Sequence, residues 1–547
     1  MTTKKWYTRR RYWSLAILAT LVYFCLIPSP LRVSPETTGF TEPLLPNGDV
    51  DYFGAYERMY IHKLSPPEDN GQRLLIAALG PRVLEQVGMM DAVPWEQLPT
   101  HEMSKKWFEE YWVPLCEHMF IDPYERPRFL DSLTYHRFMK KEWEVNNQDE
   151  NASYDYYKED EELRKQLAAT PWTAEEHPDI ARWLKERSPV LDLFGVAVRK
   201  PNFACYRWQM DNLFSILLPD VQHNRQFARE LQIRITAHLG KGDVDSAWDD
   251  VMSMLYLSRK HYLHDPIVVI NLVGCAVERN GYDSARLVLQ HGNPSPEQLE
   301  RFAKDLNALP RKTVLSLELE RYFLYSTLQM LQHREFISEM SGRKREPITD
   351  LTSFFLYLSG DGWYDLIALL PIDRNIAGKR ITEFLRVDQQ LSSDVAWNAS
   401  PIIARQYFED LNKQVHEIAQ QRRSHWFLLQ IPLIRTRSEF VADSMVAMFL
   451  PALLSAQNGF DNANTQFDLL RLSIALERYN LANGEYPETL DALLPTYLEE
   501  VPLEPLTGRK SFVYKPSPDA ETAFLLHSSE WSDDDGRTRE LFVRMKK

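Results

Sequence analysis

Two histidines, His261 and His264, stand three residues apart beside Asp265. On a helix that spacing brings two imidazoles near one another, the beginning of a metal-ligating pair. No third ligand is apparent, so they read as histidines at a helix end. His223 and His238 stand alone and read as surface or core residues rather than catalysts. Ser341-Gly342-Arg343-Lys344 has the S-x-x-K spacing of a serine nucleophile in penicillin-recognising enzymes. Its companion K-T-G is missing and it sits in a polar, basic break, so the match reads as chance. There is no phosphate-binding glycine loop, no H-E-x-x-H and no G-x-S-x-G. Acidic residues are too abundant for a general acid–base pair to be picked out by spacing. Cys25, Cys116, Cys205 and Cys275 form no C-x-x-C pair, which removes zinc and thioredoxin-type motifs. They are too sparse for a disulfide framework, and the last three read as small buried hydrophobes with at most one bridge among them.

The elements that would position any such chemistry are mostly helical. From Val221 to about Leu331 one helical pattern follows another. A helix ends at Gly240-Lys241-Gly242, and the next carries Ala247, Val251, Met254, Leu255 and Ser258 on one face. Ser295-Pro296-Glu297 opens a further helix, a capping residue followed by proline at the first position. Thr173 and Glu176 have capping-box spacing, with Pro178 as the competing helix start. Asp-Ser-Ala recurs at Asp245 to Ala247 and at Asp283 to Ala285. Those copies resemble tetratricopeptide-type hairpins, and they are read as irregular helical hairpins whose stacked surfaces commonly bind partners. The acidic stretch from Glu142 to Leu163 reads as a solvated face or insertion.

The C-terminal stretch is the most specific. Phe467, Leu470 and Ile474, with Leu469, Leu472, Leu476 and Tyr479, form one wide apolar helix face. Asn483-Gly484 stops that helix, and Tyr486-Pro487 cannot continue it. A short second helix is expected from Glu488 to Leu494, with Tyr497-Leu498 packing back on the first. Short strands are expected at Phe512 to Tyr514, Ala523 to Leu526 and Leu541 to Val543. The run LLRLSIALERYNLANGEYPETLDALLPTYLEEVPLEPLTGRKSFVYKP, with FLPALLSAQ at Phe449 to Gln457, resembles the major pseudopilin of type II secretion systems. The resemblance covers roughly a fifth of the chain and is sharpest at Asn483-Gly484-Glu485-Tyr486-Pro487. It implies a long helix feeding a small antiparallel sheet. It also implies a calcium ion in the loop before the last strand, with Glu530, Asp533, Asp534 and Asp535 as oxygen ligands. Read from composition alone, the same residues are a solvated acidic turn. The helix lies far from the N-terminus and carries Asp443, Ser444 and Gln457, so pilin-type processing and polymerisation are not expected.

At the other end, Lys4, Lys5 and Arg9 to Arg11 form a basic tail, and Tyr12 to Leu31 carries no charge. About twenty such residues are what a bilayer-crossing helix needs. A retained anchor is favoured over a cleaved signal peptide, because Pro28-Ser29-Pro30 sits where cleavage would fall. With a net charge of −14, a nucleic-acid partner is not expected. A mean hydropathy of −0.40 speaks against a polytopic membrane protein.

The expected fold is mostly α, with an irregular helical-hairpin body and a small C-terminal α+β pseudopilin-like domain. The expected divisions are a basic cytoplasmic tail (1–12), a transmembrane anchor (13–31), a linker (32–50), the helical body (51–440) and the pseudopilin-like domain (441–547). The functional expectation is a scaffold for protein partners, tethered by a single pass to the bacterial inner membrane with its bulk extracytoplasmic. The alternatives are a component of a type II secretion or pilus-like machine and a hydrolase with an unrecognised site.

Overall fold

The computed structural model describes residues 13, 27–87, 108–128, 162–207, 218–265, 267–310, 318–330, 372–392, 410, 413, 417, 433–504, 510–517, 522–528 and 542–545. Over these residues the chain is mostly helical. The helices are α1 (Tyr52–Tyr60), α2 (Gly71–Leu79), α3 (Val113–Met119), α4 (Pro178–Val198), α5 (Pro219–Gly240), α6 (Val244–Leu255), α7 (Val268–His291), α8 (Pro296–Asn307), α9 (Glu318–Met330), α10 (Arg374–Ser392) and α11 (Ile434–Asn483). Three short strands follow: β1 (Val513–Pro516), β2 (Thr522–His527) and β3 (Phe542–Met545).

Helix α5 packs against α4, α6, α7 and the 3-10 turns at Gly80–Val87. Few of its residues reach solvent, although its sequence is as polar as that of a surface helix. The polar side chains are accommodated by partners on the neighbouring elements. Glu230 accepts hydrogen bonds from Arg187 of α4 at 2.7, 2.9 and 3.0 Å. Arg234 reaches Asp250 of α6 and Asp192 of α4, and Thr236 donates to the Leu167 carbonyl. Burial raises the pKa of both Glu230 and Asp250, and their arginine partners work against the shift. Such pairs add little net stability, but they fix which helix faces which, because a misplaced partner leaves a buried charge alone.

The hairpins form where the local sequence stops one helix and starts the next. Asp243 caps α6 by accepting from the Ser246 amide, and Ser295 forms a capping box with Gln298 at the start of α8. Thr173 and Glu176 bond reciprocally, yet α4 itself begins at Pro178, so both start signals are used in succession. α6 runs on as a π-helical turn over Tyr256–His261. There Lys260 and His261 donate to the carbonyls of Val198, Arg199 and Lys200, and so close the end of α4. The ring of Trp248 stacks on Phe302 at 4.0 Å and locks α6 to α8.

Helix α11 is 50 residues long and packs on α7, α8, α9 and α10. It runs without a break across position 441, the expected domain boundary. Arg259, fully buried in the π turn, joins it to the body. That guanidinium bonds Glu278 and Tyr282 of α7 and the Ala463 carbonyl of α11, and lies 3.8 Å from the centre of the Phe467 ring. Gly484, with φ of +81°, ends α11 in the left-handed conformation. A 3-10 turn at Leu490–Leu493 stands where a short second helix was expected, and Tyr497 packs back on Tyr479 at 5.7 Å. The strands form one antiparallel sheet in the order β1-β2-β3, with Val513 opposite His527 and Leu525 opposite Val543. Phe524, fully buried, meets Tyr486 edge-on and fastens the sheet to the turn after α11.

The N-terminal expectation is overturned. Among the described residues no helix is long and apolar enough to cross a membrane, against a single-pass transmembrane helix and an inner-membrane location. Residue 12 and residues 14–26 lie outside the described residues. From Ile27 to Leu31 the described chain is neither helix nor strand. Ser29 bonds Asp373 through its amide and its hydroxyl, and the Arg32 amide donates to Asn375. The stretch 32–50 continues along α10 and α9, with Thr37 and Thr38 buried and the Glu36 carbonyl accepting from Thr382. A Cβ at Gly378 of α10 would lie 1.9 Å from the Thr37 carbonyl oxygen, so the close approach requires glycine there.

Candidate functional site

Most of the residues singled out by spacing do not assemble into a site. His261 donates from Nε2 to the Val198 carbonyl at 2.8 Å, a structural bond. Asp265 is buried and accepts from the Tyr60 hydroxyl and the Ile267 amide. Among the described residues no group of three His, Cys, Asp or Glu side chains could hold a metal. Glu530, Asp533, Asp534 and Asp535, implied as calcium ligands, lie outside the described residues, as does Ser341 to Lys344. His223 is buried and donates to the Val83 carbonyl at 3.0 Å. Cys116 and Cys205 are buried, and burial pushes both thiols up in pKa, away from the nucleophilic thiolate.

A different polar cluster involves α1, the segment after α4 and the start of α5. The Asp51 side chain caps α1 by accepting from the Gly54 amide. The four-residue spacing of Tyr52, Tyr56 and Tyr60 then sets all three on the buried face, with the rings of Tyr56 and Tyr60 stacked at 5.4 Å. Asn70 places the opposing chain: its side chain accepts from the Gln72 and Ala204 amides and donates to the Ala204 carbonyl. Three residues further on, Arg207 meets Asp220 in a two-point contact, Nη1 to Oδ1 at 2.7 Å and Nη2 to Oδ2 at 3.2 Å. Burial disfavours the guanidinium charge, but Asp220 together with Cys205, Tyr60 and Tyr56 outweighs it and holds Arg207 above its ordinary pKa. Burial raises the Asp265 pKa, opposed by Arg207 and the Ile267 amide. Burial likewise raises the phenols of Tyr56, Tyr60 and Tyr262, so they remain protonated hydrogen-bonding groups.

Two atoms of this cluster are left over. Tyr56 Oη and Asn224 Oδ1 are buried with no hydrogen-bond partner among the described residues, while Arg207 also hydrogen-bonds Cys205. The cost of one such atom is about 1–3 kcal/mol, and native proteins keep few of them. Tyr56 and Arg207 both line a half-open cleft with room for little more than one water molecule. The walls are mainly the aromatic and aliphatic side chains of α1 and the turn after it, with Tyr206 and Glu57 completing the lining. The arrangement suits hydrogen bonding to a water molecule better than proton transfer, since burial stabilises the protonated form of each phenol and of Asp265.

Sequence spacing gave no sign of this cluster. Arg207 and Asp220 belong to no motif, and Tyr56 reads as one more aromatic on an amphipathic helix. No family model, curated protein or solved structure matches the chain.

Proposed function

We propose that the chain is a scaffold that binds protein partners through its stacked helical hairpins. The observation that supports this most directly is the exposed polar surface shared by α6 and α8. Arg301 of α8 reaches Asp245 at 2.8 Å and Asp249 at 2.7 Å on α6, and Gln298 also donates to Asp245. These side chains are exposed or partly so, and exposed ion pairs contribute little to stability. What they provide is a patterned surface across successive hairpins, the kind of face on which helical stacks bind. A second reading, association with a secretion or pilus-like machine, draws on the pseudopilin resemblance. It is supported by the passage from α11 through Gly484 and Tyr486-Pro487 into a three-stranded antiparallel sheet.

One experiment tests both readings. The full-length chain is captured from its native cells after chemical crosslinking, beside an Asp245→Lys/Arg301→Glu variant and a variant ending after Gly484. A scaffold of hairpins predicts a reproducible set of partners that falls about tenfold in the charge-reversed variant, as lost charge complementarity commonly costs. Secretion or pilus subunits that vanish only on truncation would favour the second reading. An identical set from all three proteins would exclude both.

A further inference from the structure

We propose that residues 27–40 are a releasable strap, the chain's own occupant of a seat for extended peptides, and that a partner segment with small residues before a Gly-aromatic pair takes the seat in its place. The strap is held largely by its main chain. The Ser29 amide donates to Asp373 at 2.9 Å, and Asn375 donates to the Pro30 carbonyl and accepts from the Arg32 amide. Further along, Thr382 of α10 donates to the Glu36 carbonyl at 2.7 Å, and Tyr52 of α1 donates to the Thr38 carbonyl at 2.8 Å. Ile27, Pro30, Arg32, Pro35 and Glu36 are exposed, so these bonds place an extended segment without reading those side chains. Selectivity comes at the inner end. Thr37 and Thr38 are buried, and the ring of Phe40 lies 3.9 Å from that of Tyr322. Gly39, with φ of +72°, sits so close to Tyr325 that a Cβ would stand 2.6 Å from its ring.

The seat has supports of its own. Asp373 is fixed by its amide, which donates to Ser438 of α11, and by Oδ1, which caps α10 at the Asn375 amide. Oδ2 is the atom that serves Ser29. The Thr382 hydroxyl has a second acceptor inside α10, the Gly378 carbonyl at 2.9 Å, so release does not strand it. Asn375 is partly exposed and turns to water. The strap itself is loop and turn throughout, so its departure breaks no helix and no sheet. Segments held by such partly exposed bonds open at the low end of a protein's local stabilities. The α6–α8 surface has no part in this binding, so the two proposals fail separately.

Hydrogen exchange of the full-length wild type tests the release. The Ser29, Arg32, Thr37 and Thr38 amides are expected to share a common protection, at least about tenfold below that of Ala377 and Ile381 in α10. Protection equal to that of α10, or different for the outer and inner pairs, overturns the proposal. The seat is tested with a labelled peptide of residues 27–40, titrated by fluorescence anisotropy into the wild type and Gly39→Val. Valine is strained at that positive φ and collides with Tyr325, so it lifts the strap and leaves the residues of the seat in place. In the wild type the strap competes at an effective concentration on the order of millimolar, so the peptide is expected to bind Gly39→Val at least about tenfold more tightly. Adding Asn375→Ala to that variant, or placing Gly39→Val in the peptide, should weaken binding about tenfold. No saturable binding to Gly39→Val, equal binding to both proteins, or indifference to Asn375→Ala overturns the proposal. So does a Gly39→Val protein that no longer unfolds cooperatively, because the strap is then an integral part of the fold.

Discussion

His223 is 2% exposed and donates from Nε2 to the Val83 carbonyl, with Asp220 and Arg187 as the charged groups acting on it. Burial lowers its pKa to about 4, partly offset by the carbonyl it bonds. In the unfolded chain an imidazole titrates near 6.5, so between those values the unfolded state binds the extra proton and stability rises with pH. The contribution is therefore complete above about pH 6.5 and is lost as the pH falls toward 4. His223→Gln keeps a side-chain donor for Val83 and removes the titration. Relative to that variant, the wild type should lose about 2 kcal/mol of unfolding free energy between pH 7 and pH 5. The comparison cancels the opposite influence of Glu230, Asp250 and Asp265, whose raised pKa values favour the folded state in acid. Parallel pH profiles for the two proteins would show that the ring is not held neutral. The sequence marks this position only as a histidine four residues beyond Pro219, because the carbonyl it bonds, that of Val83, lies 140 positions away.

At the scale of elements, α5 shows why local reading stops short. Its boundaries are written in the chain: Pro219 at the first position, Gly240-Lys241-Gly242 at the end, Asp243 as the next cap. Its burial is not, since Glu230 and Arg234 belong by type to a solvent face and enter the core only because Arg187 and Asp250 meet them there. The same limit hid the cluster at Arg207 and Asp220, whose members come from the segment after α4 and the start of α5. By contrast, the signals at Ser295 and Gly484 act within a few residues, and the structure places a cap and a left-handed stop there. The Arg187–Glu230 pair makes this measurable by denaturant unfolding. Arg187→Met strands a buried carboxylate and should cost about 3–5 kcal/mol, while Arg187→Met/Glu230→Leu should recover most of that loss. A single variant costing less than about 1 kcal/mol would mean that water reaches the carboxylate.

Across the whole molecule, the stretch 29–50 and α11 bring distant parts of the chain together. Ser29 and Arg32 bond α10 more than 340 positions later, and the Val50 amide and carbonyl both bond Gln329 of α9. Gly378→Ala tests the closest of these approaches. In an isolated helix the change favours folding by about 1 kcal/mol. Here the new methyl group would collide with the Thr37 carbonyl, and a net loss of about 1–3 kcal/mol is expected, as for other overpacked sites. Hydrogen exchange at the Thr37 and Thr38 amides, both bonded to the Ser34 carbonyl region, should accelerate in the variant. A stabilised variant with unchanged exchange would show that the stretch does not lie against α10. The long helix α11 has a consequence for inheritance. At about 1.5 Å per residue its 50 residues rise about 75 Å, and the body and the C-terminal sheet both rest on that one rod. A gene fusion or recombination event joining a foreign tail at position 441 would cut through it. Body and tail are therefore expected to pass between lineages as a unit, changing by substitution rather than by exchange of parts.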